Sequence, residues 1–168
     1  MNIGHDLVRK LYIEMTGKDP ATVTLIPGSG SPRQYFRIDK EGRSVIGVYN
    51  EDRKENRAFL SFTRTFLDQS LPVPDILAED KDGLCYMLRD LGDLTLYGYL
   101  QEQRRAIGDS RSVTVDFPEE AKAWYKKALD WLPRFQLSTG PGYTMCYPRP
   151  AFDQQSMLWD LNYFKYYY

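Results

Sequence analysis

A chain of 168 residues with 42% hydrophobic composition can bury a core, which excludes a disordered polypeptide. Its formal net charge of -1 excludes the strong basic field on which nucleic-acid binding depends. No stretch approaches the ~20 apolar residues that cross a bilayer, and no leader-like apolar segment opens the sequence.

A cytoplasmic location, with neither nucleic acid nor membrane as partner, is the resulting expectation. The cysteines, Cys85 and Cys146, lie far apart and outside any metal-ligand spacing, so a disulfide framework is not expected. Cys85 sits in an apolar run and reads as a small buried hydrophobe.

Residues 6–15 carry Leu7, Leu11, Ile13 and Met15 and predict an amphipathic helix. Strands are expected at 22–26, 34–38 and 44–49. The loop from Pro27 to Pro32 joins the first two. Asp39-Lys40-Glu41-Gly42 joins the next two as a tight turn, where glycine tolerates positive φ. An antiparallel meander should result. Residues 51–67 predict a helix whose Phe59, Phe62, Phe66 and Leu67 pack on that meander. Pro72 and Pro74 end helical structure and impose an extended approach to strands at 77–79 and 84–88. Asp80-Lys81-Asp82-Gly83 turns between them. Asp80 and Asp82 have the spacing of a metal pair, but a solvated turn is the plainer reading.

Beyond Asp93 the pattern becomes helical. A helix is expected over 95–105, a polar loop over 106–115 and a long helix over 118–137. Pro118 lies near its first turn and Gly140 just past its end. Pro133 should kink or divide it. A Pro-rich connection runs to Pro150, and a further helix begins near Gln154. Trp159, Tyr163, Phe164 and the terminal tyrosines are expected to bury surface by self-association.

Three features bear on chemistry. In Gly28-Ser29-Gly30-Ser31-Pro32-Arg33, glycines let backbone N–H groups approach a phosphate, while hydroxyls and a guanidinium add donors. Such a loop is also an ordinary strand connection. It is not a Walker loop, since no Gly-Lys-Ser/Thr closes it, nor a dinucleotide fingerprint, since a strand follows. Glu55 lies where the helix dipole favours any acid. The strand Leu84-Cys85-Tyr86-Met87-Leu88 runs into Arg89-Asp90-Leu91-Gly92-Asp93. Its end can offer backbone groups to an adenine edge, or simply stop at a glycine turn.

In chain order these features resemble the N-terminal, nucleotide-binding part of the aminoglycoside phosphotransferase and choline kinase superfamily. The nearest likeness is to bacterial sugar and amino-sugar kinase-like members. The residues that carry it are Ser31-Pro32-Arg33-Gln34-Tyr35-Phe36-Arg37-Ile38, Glu55-Asn56-Arg57-Ala58-Phe59, Leu71-Pro72-Val73-Pro74-Asp75-Ile76-Leu77 and Arg89-Asp90-Leu91-Gly92-Asp93. The likeness is strong over residues 25–100 and weaker beyond.

The resemblance implies an α+β fold: a protein-kinase-like N-lobe, with a five-stranded antiparallel sheet and a packed helix, over residues 1–93. The first helices of an incomplete helical C-lobe would occupy residues 94–168. It implies ATP-dependent phosphoryl transfer to a hydroxyl of a small-molecule acceptor, a sugar or amino sugar. Gly28, Ser29, Gly30, Ser31 and Arg33 would cradle phosphate, and the backbone of Arg89, Asp90 and Leu91 would meet adenine. Ile26, Ile46 and Met87 would wall the purine. Relatives carry a lysine near the end of the third strand, and here Val48 or its neighbour takes that place. Arg33 and Arg37 are the candidate replacements, with Glu55 organising the loop or the replacement base. ATP would arrive with Mg²⁺, whose ligands are expected outside this chain. No His-Gly-Asp run occurs, and the lone histidine, His5, lies in the first helix. No catalytic residue is therefore assigned, and this chain alone is expected to be inactive. The missing lysine also favours an alternative, a nucleotide-binding regulatory or interaction module without transfer activity.

Overall fold

A computed structural model describes residues 2–28, 32–106, 119–151 and 153–167. Helix α1 (Ile3–Thr16) starts before its apolar spacing begins, because the Asn2 side chain accepts the His5 N–H at 3.3 Å and caps it. Gly17, at φ 70°, closes it by donating its N–H to the Ile13 carbonyl. Strands β1 (Thr22–Ile26), β2 (Gln34–Lys40) and β3 (Arg43–Tyr49) form the expected meander. Glu41 and Gly42 make the β2–β3 turn, both at positive φ (57° and 75°), which suits the right-handed twist of a tight hairpin.

Strands β4 (Ile76–Glu79) and β5 (Cys85–Arg89) complete a five-stranded antiparallel sheet of order β1-β2-β3-β5-β4. The Asp80 side chain accepts the Cys85 N–H at 3.0 Å and so serves the turn between them. Pleat alternation divides the sheet's residues into two faces. On one face, Phe36, Ile38, Tyr49, Cys85 and Met87 pack with Val8, Leu11 and Tyr12 of α1. Burial pushes the Cys85 thiol up to about 12, so it behaves as a hydrophobe. On the other face, Val48, Tyr86 and Leu88 pack with Leu60 of helix α2 (Arg53–Asp68), flanked by Tyr35, Ile46 and Phe59. The N-terminal half is thus α+β, with helices on both sides of the sheet.

Asp52 caps α2 by accepting the Lys54 and Glu55 N–H groups. The buried Asn56 donates to the carbonyls of Asn50 and Gly83, both at 2.9 Å, and ties α2 to the end of β3 and to the β4–β5 turn. Phe59 stacks on Tyr86 with ring centroids 5.3 Å apart. The expected packing of Phe62 and Phe66 on the meander is corrected. They point along another flank of α2 and meet the rings of Tyr143 and Phe135 edge-on, at 4.9 and 5.2 Å.

Helices α3 (Leu96–Ala106), α4 (Glu119–Gln136) and α5 (Gln154–Tyr167) follow, with a short 3-10 helix at Pro141–Met145. Pro133 does not divide α4. It lies close to the C-terminal end, where the missing N–H removes one intrahelical bond, and Leu137 N–H still reaches the Pro133 carbonyl at 2.9 Å. Of the polar loop expected at 106–115, Ala106 instead closes α3, and the remainder lies outside the described residues. Among the described residues no helix is long and apolar enough to cross a membrane.

Gly47 permits α1 to lie close to β3: a Cβ there would sit 3.0 Å from Val8 Cβ and from Ile38 Cδ1. Gly47→Val should therefore destabilise the chain by about 2 kcal/mol through overpacking, and Gly47→Ala by less. Urea unfolding with a lowered midpoint and unchanged slope is the expected readout. Equal midpoints for Gly47→Val and wild type would contradict the packing described.

Candidate functional site

The face of the sheet that meets α2 carries the polar chemistry. Arg33 precedes β2, and its Nη2 lies 2.8 Å from Glu55 Oε1 in the first turn of α2. The guanidinium also covers the Phe59 ring, 5.2 Å from its centroid. Asn50 Nδ2 donates to the other Glu55 oxygen at 2.7 Å, so the carboxylate is held from two directions. Burial works against the charge on Arg33. The Tyr86 and Tyr35 hydroxyls and Glu55 outweigh it, and the pKa lies above the ordinary arginine value. The Tyr86 hydroxyl is itself buried, and desolvation raises its pKa.

Four residues further along the chain and on the same face, Arg37 spans from β2 to the segment after β5. Its Nε donates to Asp90 Oδ2 at 2.6 Å, its Nη2 to Asp90 Oδ1 at 3.2 Å and its Nη1 to Asp93 Oδ2 at 2.8 Å. Asp90 also accepts from Ser44 Oγ at 2.7 Å and Gly92 N–H at 2.8 Å. These bonds, Arg37's above all, hold the Asp90 carboxyl down at about 2. The Asp93 and Asp90 carboxylates in turn raise the Arg37 pKa.

The sequence-predicted site residues separate accordingly. Arg33 and Glu55 come together. Arg37 shares their face, but its guanidinium is engaged by Asp90 and Asp93, so it acts as a clamp between the sheet and the segment after β5. The Arg89 N–H is already donated to the Asp75 carbonyl at 3.0 Å, and its guanidinium lies 2.9 Å from Asp75 Oδ2. Of the three residues expected to offer backbone to an adenine edge, Arg89 therefore has its N–H already engaged. Met87 is corrected as a purine wall: it is fully buried on the α1 face, opposite Arg33 and Glu55. The register pairs Met87 with Gly47 and places Leu88 beside Ile46 on the α2 face. Ile26, paired with Tyr35, shares that face with Ile46. Gly28 leads into the loop, while Ser29, Gly30 and Ser31 lie outside the described residues.

Sequence reasoning missed the Asn50–Glu55 bond and the Ser44–Asp90 bond. An asparagine closing a strand two residues before an Asp cap was the available signal for the first. Among the described residues no group of three or more His, Cys, Asp or Glu could hold a metal ion. A cavity of about 500 Å³ lies away from this face, lined by Pro72, Leu94, Tyr99, Glu120, Trp124 and Trp131 among others. No protein-family model matches the chain, and no curated protein matches it at a significant level.

The Asp90 clamp has a pH signature. A carboxyl whose pKa is depressed in the folded state adds stability that is complete above its unfolded value. That stability is lost as pH falls through the folded value. Between about pH 4 and about pH 2, this group should remove about 2 kcal/mol of stability. Asp90→Asn should lower stability near neutral pH and flatten this acid limb, measured by urea unfolding across that range. Identical acid limbs in the two proteins would rule the clamp out as a source of stability.

Proposed function

We propose that this chain is the nucleotide-binding part of an ATP-dependent phosphotransferase acting on a hydroxyl of a small metabolite, a sugar or amino sugar. The likeness to the aminoglycoside phosphotransferase and choline kinase superfamily motivates the reading. The observation that carries it is the Arg33–Glu55 ion pair. Kinase-like folds pair a strand cation with a glutamate of the packed helix to steady the nucleotide phosphates. Here the cation comes from the residue before β2, and the glutamate from the first turn of α2. A guanidinium presents several donors in a fixed fork, a geometry suited to carboxylate and phosphate alike. Gly28 follows β1 at the end of the sheet where Arg33 leads into β2. Ile26 and Ile46 supply apolar surface on this face for a base, with the Asp90–Leu91 backbone at the hinge end.

The described residues do not fit a magnesium site. Asp90 and Asp93 are engaged by Arg37, and no cluster of metal-ligating side chains is present among the described residues. In this reading the chain's own contribution is to hold and orient the nucleotide. The second reading, a nucleotide-binding module without transfer activity, is favoured by Val48. It stands near the place of the usual strand lysine and is fully buried against Leu60 and Tyr86, so no ammonium reaches the phosphates from there.

The test is an NMR titration of the chain and of Arg33→Ala with ATP and with adenosine. Wild type should show shifts at Gly28, Arg33 and residues 90–91. Arg33→Ala should weaken ATP by about tenfold, the scale of one charge-assisted hydrogen bond, and adenosine much less. Equal loss for both ligands would remove Arg33 from phosphate recognition. No shift at several millimolar ATP would remove the nucleotide reading altogether.

A further inference from the structure

After α4 the chain passes through the short 3-10 helix and runs back along α2. Gln69 Nε2 donates to the Thr139 carbonyl at 2.7 Å, and Gly142 N–H donates to Thr65 Oγ1 at 3.0 Å. Tyr143 lies edge-on to Phe62, one turn nearer the start of the helix. Tyr147 reaches the cap itself. The Asp52 carboxyl is lowered in pKa chiefly by the Glu55 N–H it accepts, and the Tyr147 hydroxyl beside it adds to that effect. Residues 138–147 thus form a strap along most of α2.

The strap is fitted, not merely adjacent. A Cβ on Gly142 would meet Thr65 Oγ1 at 2.5 Å and the Ser61 carbonyl oxygen at 2.9 Å, so backbone lies directly against helix. The opposite flank of α2 rests on the sheet through Phe59 and Leu60. At the start of the helix Asn56 is pinned to Asn50 and Gly83. Those bonds fix one end as a pivot, while the strap fixes how the helix rolls and tilts about it. Glu55 is the residue next to that pivot, and its carboxylate must stay within hydrogen-bond reach of Arg33 and Asn50.

We propose that the strap 138–147 is a positioning element for Glu55, and through it for Arg33. The geometry of the candidate anion site is then set from the helical half of the chain. Gly142 of the strap and Thr65 of α2 form its central contact, acting through the helix without touching the site. The mechanical link stands on the contacts alone; its consequence for ligand affinity rests on the nucleotide reading above.

Thr65→Val keeps the shape of the side chain and removes the acceptor for Gly142 N–H, whereas Thr65→Ser keeps the acceptor. Residue 65 lies about 15 Å along the helix from Glu55. In the full chain, Thr65→Val should move the Arg33 Nε–H resonance and the Glu55 and Asn56 amides despite that distance. Thr65→Ser should leave them near wild type, and Gly142→Val should move them further. ATP affinity should fall by about fivefold in Thr65→Val, the scale of a modest site-to-site coupling. Shifts confined to residues 61–69 and 139–143 would overturn the proposal, and if Gly142→Val does not fold, Thr65→Val decides it. Wild type that shows no response to ATP would defeat the nucleotide reading, while the Arg33 resonance in Thr65→Val still decides whether the strap positions the pair.

Discussion

Alternation along β3 governs what each side of the sheet can do. This strand lies between β2 and β5, with Val45 directed to the α1 face and Ile46 and Val48 to the α2 face. Because the side-chain period is two, a shift of one residue would exchange the faces completely. Gly47 anchors the arrangement, since α1 occupies the space that a side chain would take. Once α1 is seated, apolar side chains fill most of the α1 side, and the Arg33, Arg37 and Glu55 cluster lies on the opposite face.

The two arginines on that face have different environments and so different uses. Arg37 is satisfied by a bidentate bond to Asp90 and a further bond to Asp93, an arrangement that fastens the meander to the segment after β5. Arg33 is more enclosed, with one side against Phe59 and the Glu55 carboxylate at its end. Enclosure carries a desolvation cost that only well-placed hydrogen bonds offset. A planar guanidinium can stack on a ring and bond a carboxylate at once, which an ammonium cannot do equally well. An arginine entering from the start of β2 is thus a physically sensible partner for Glu55 where the third strand offers a buried Val48.

The strands were legible in the sequence to within a few residues because turn chemistry bounds them: Glu41-Gly42 between β2 and β3, and Asp80 to Gly83 between β4 and β5. Their order in the sheet was not legible, since β5 inserts between β3 and β4, and local signals do not encode that pairing. Which of Met87 and Leu88 shares the face of Arg33 is a matter of phase. Both are apolar residues on one buried strand, and a continuous apolar run gives no sign of which face is which. Arg33 with Glu55 was legible only as a pair of roles; the bond itself depends on how α2 is seated.

The seating of α2 shows most clearly where sequence pattern runs out. Its apolar residues follow a helical period, which identifies a buried stripe but not the number of surfaces that bury it. Phe59 and Leu60 face the sheet, while Phe66 meets Phe135 near the end of α4 and Phe62 meets Tyr143 in the segment that follows α4. That segment is rich in glycine and proline and reads locally as a connection. Its glycines have a packing role as well. Gly140 and Gly142 both bring backbone against Thr65, where a Cβ would lie 2.8 Å from its methyl and 2.5 Å from its hydroxyl oxygen respectively. A helix held between a sheet and a closely fitted backbone has little freedom to roll, and the carboxylate in its first turn inherits that constraint.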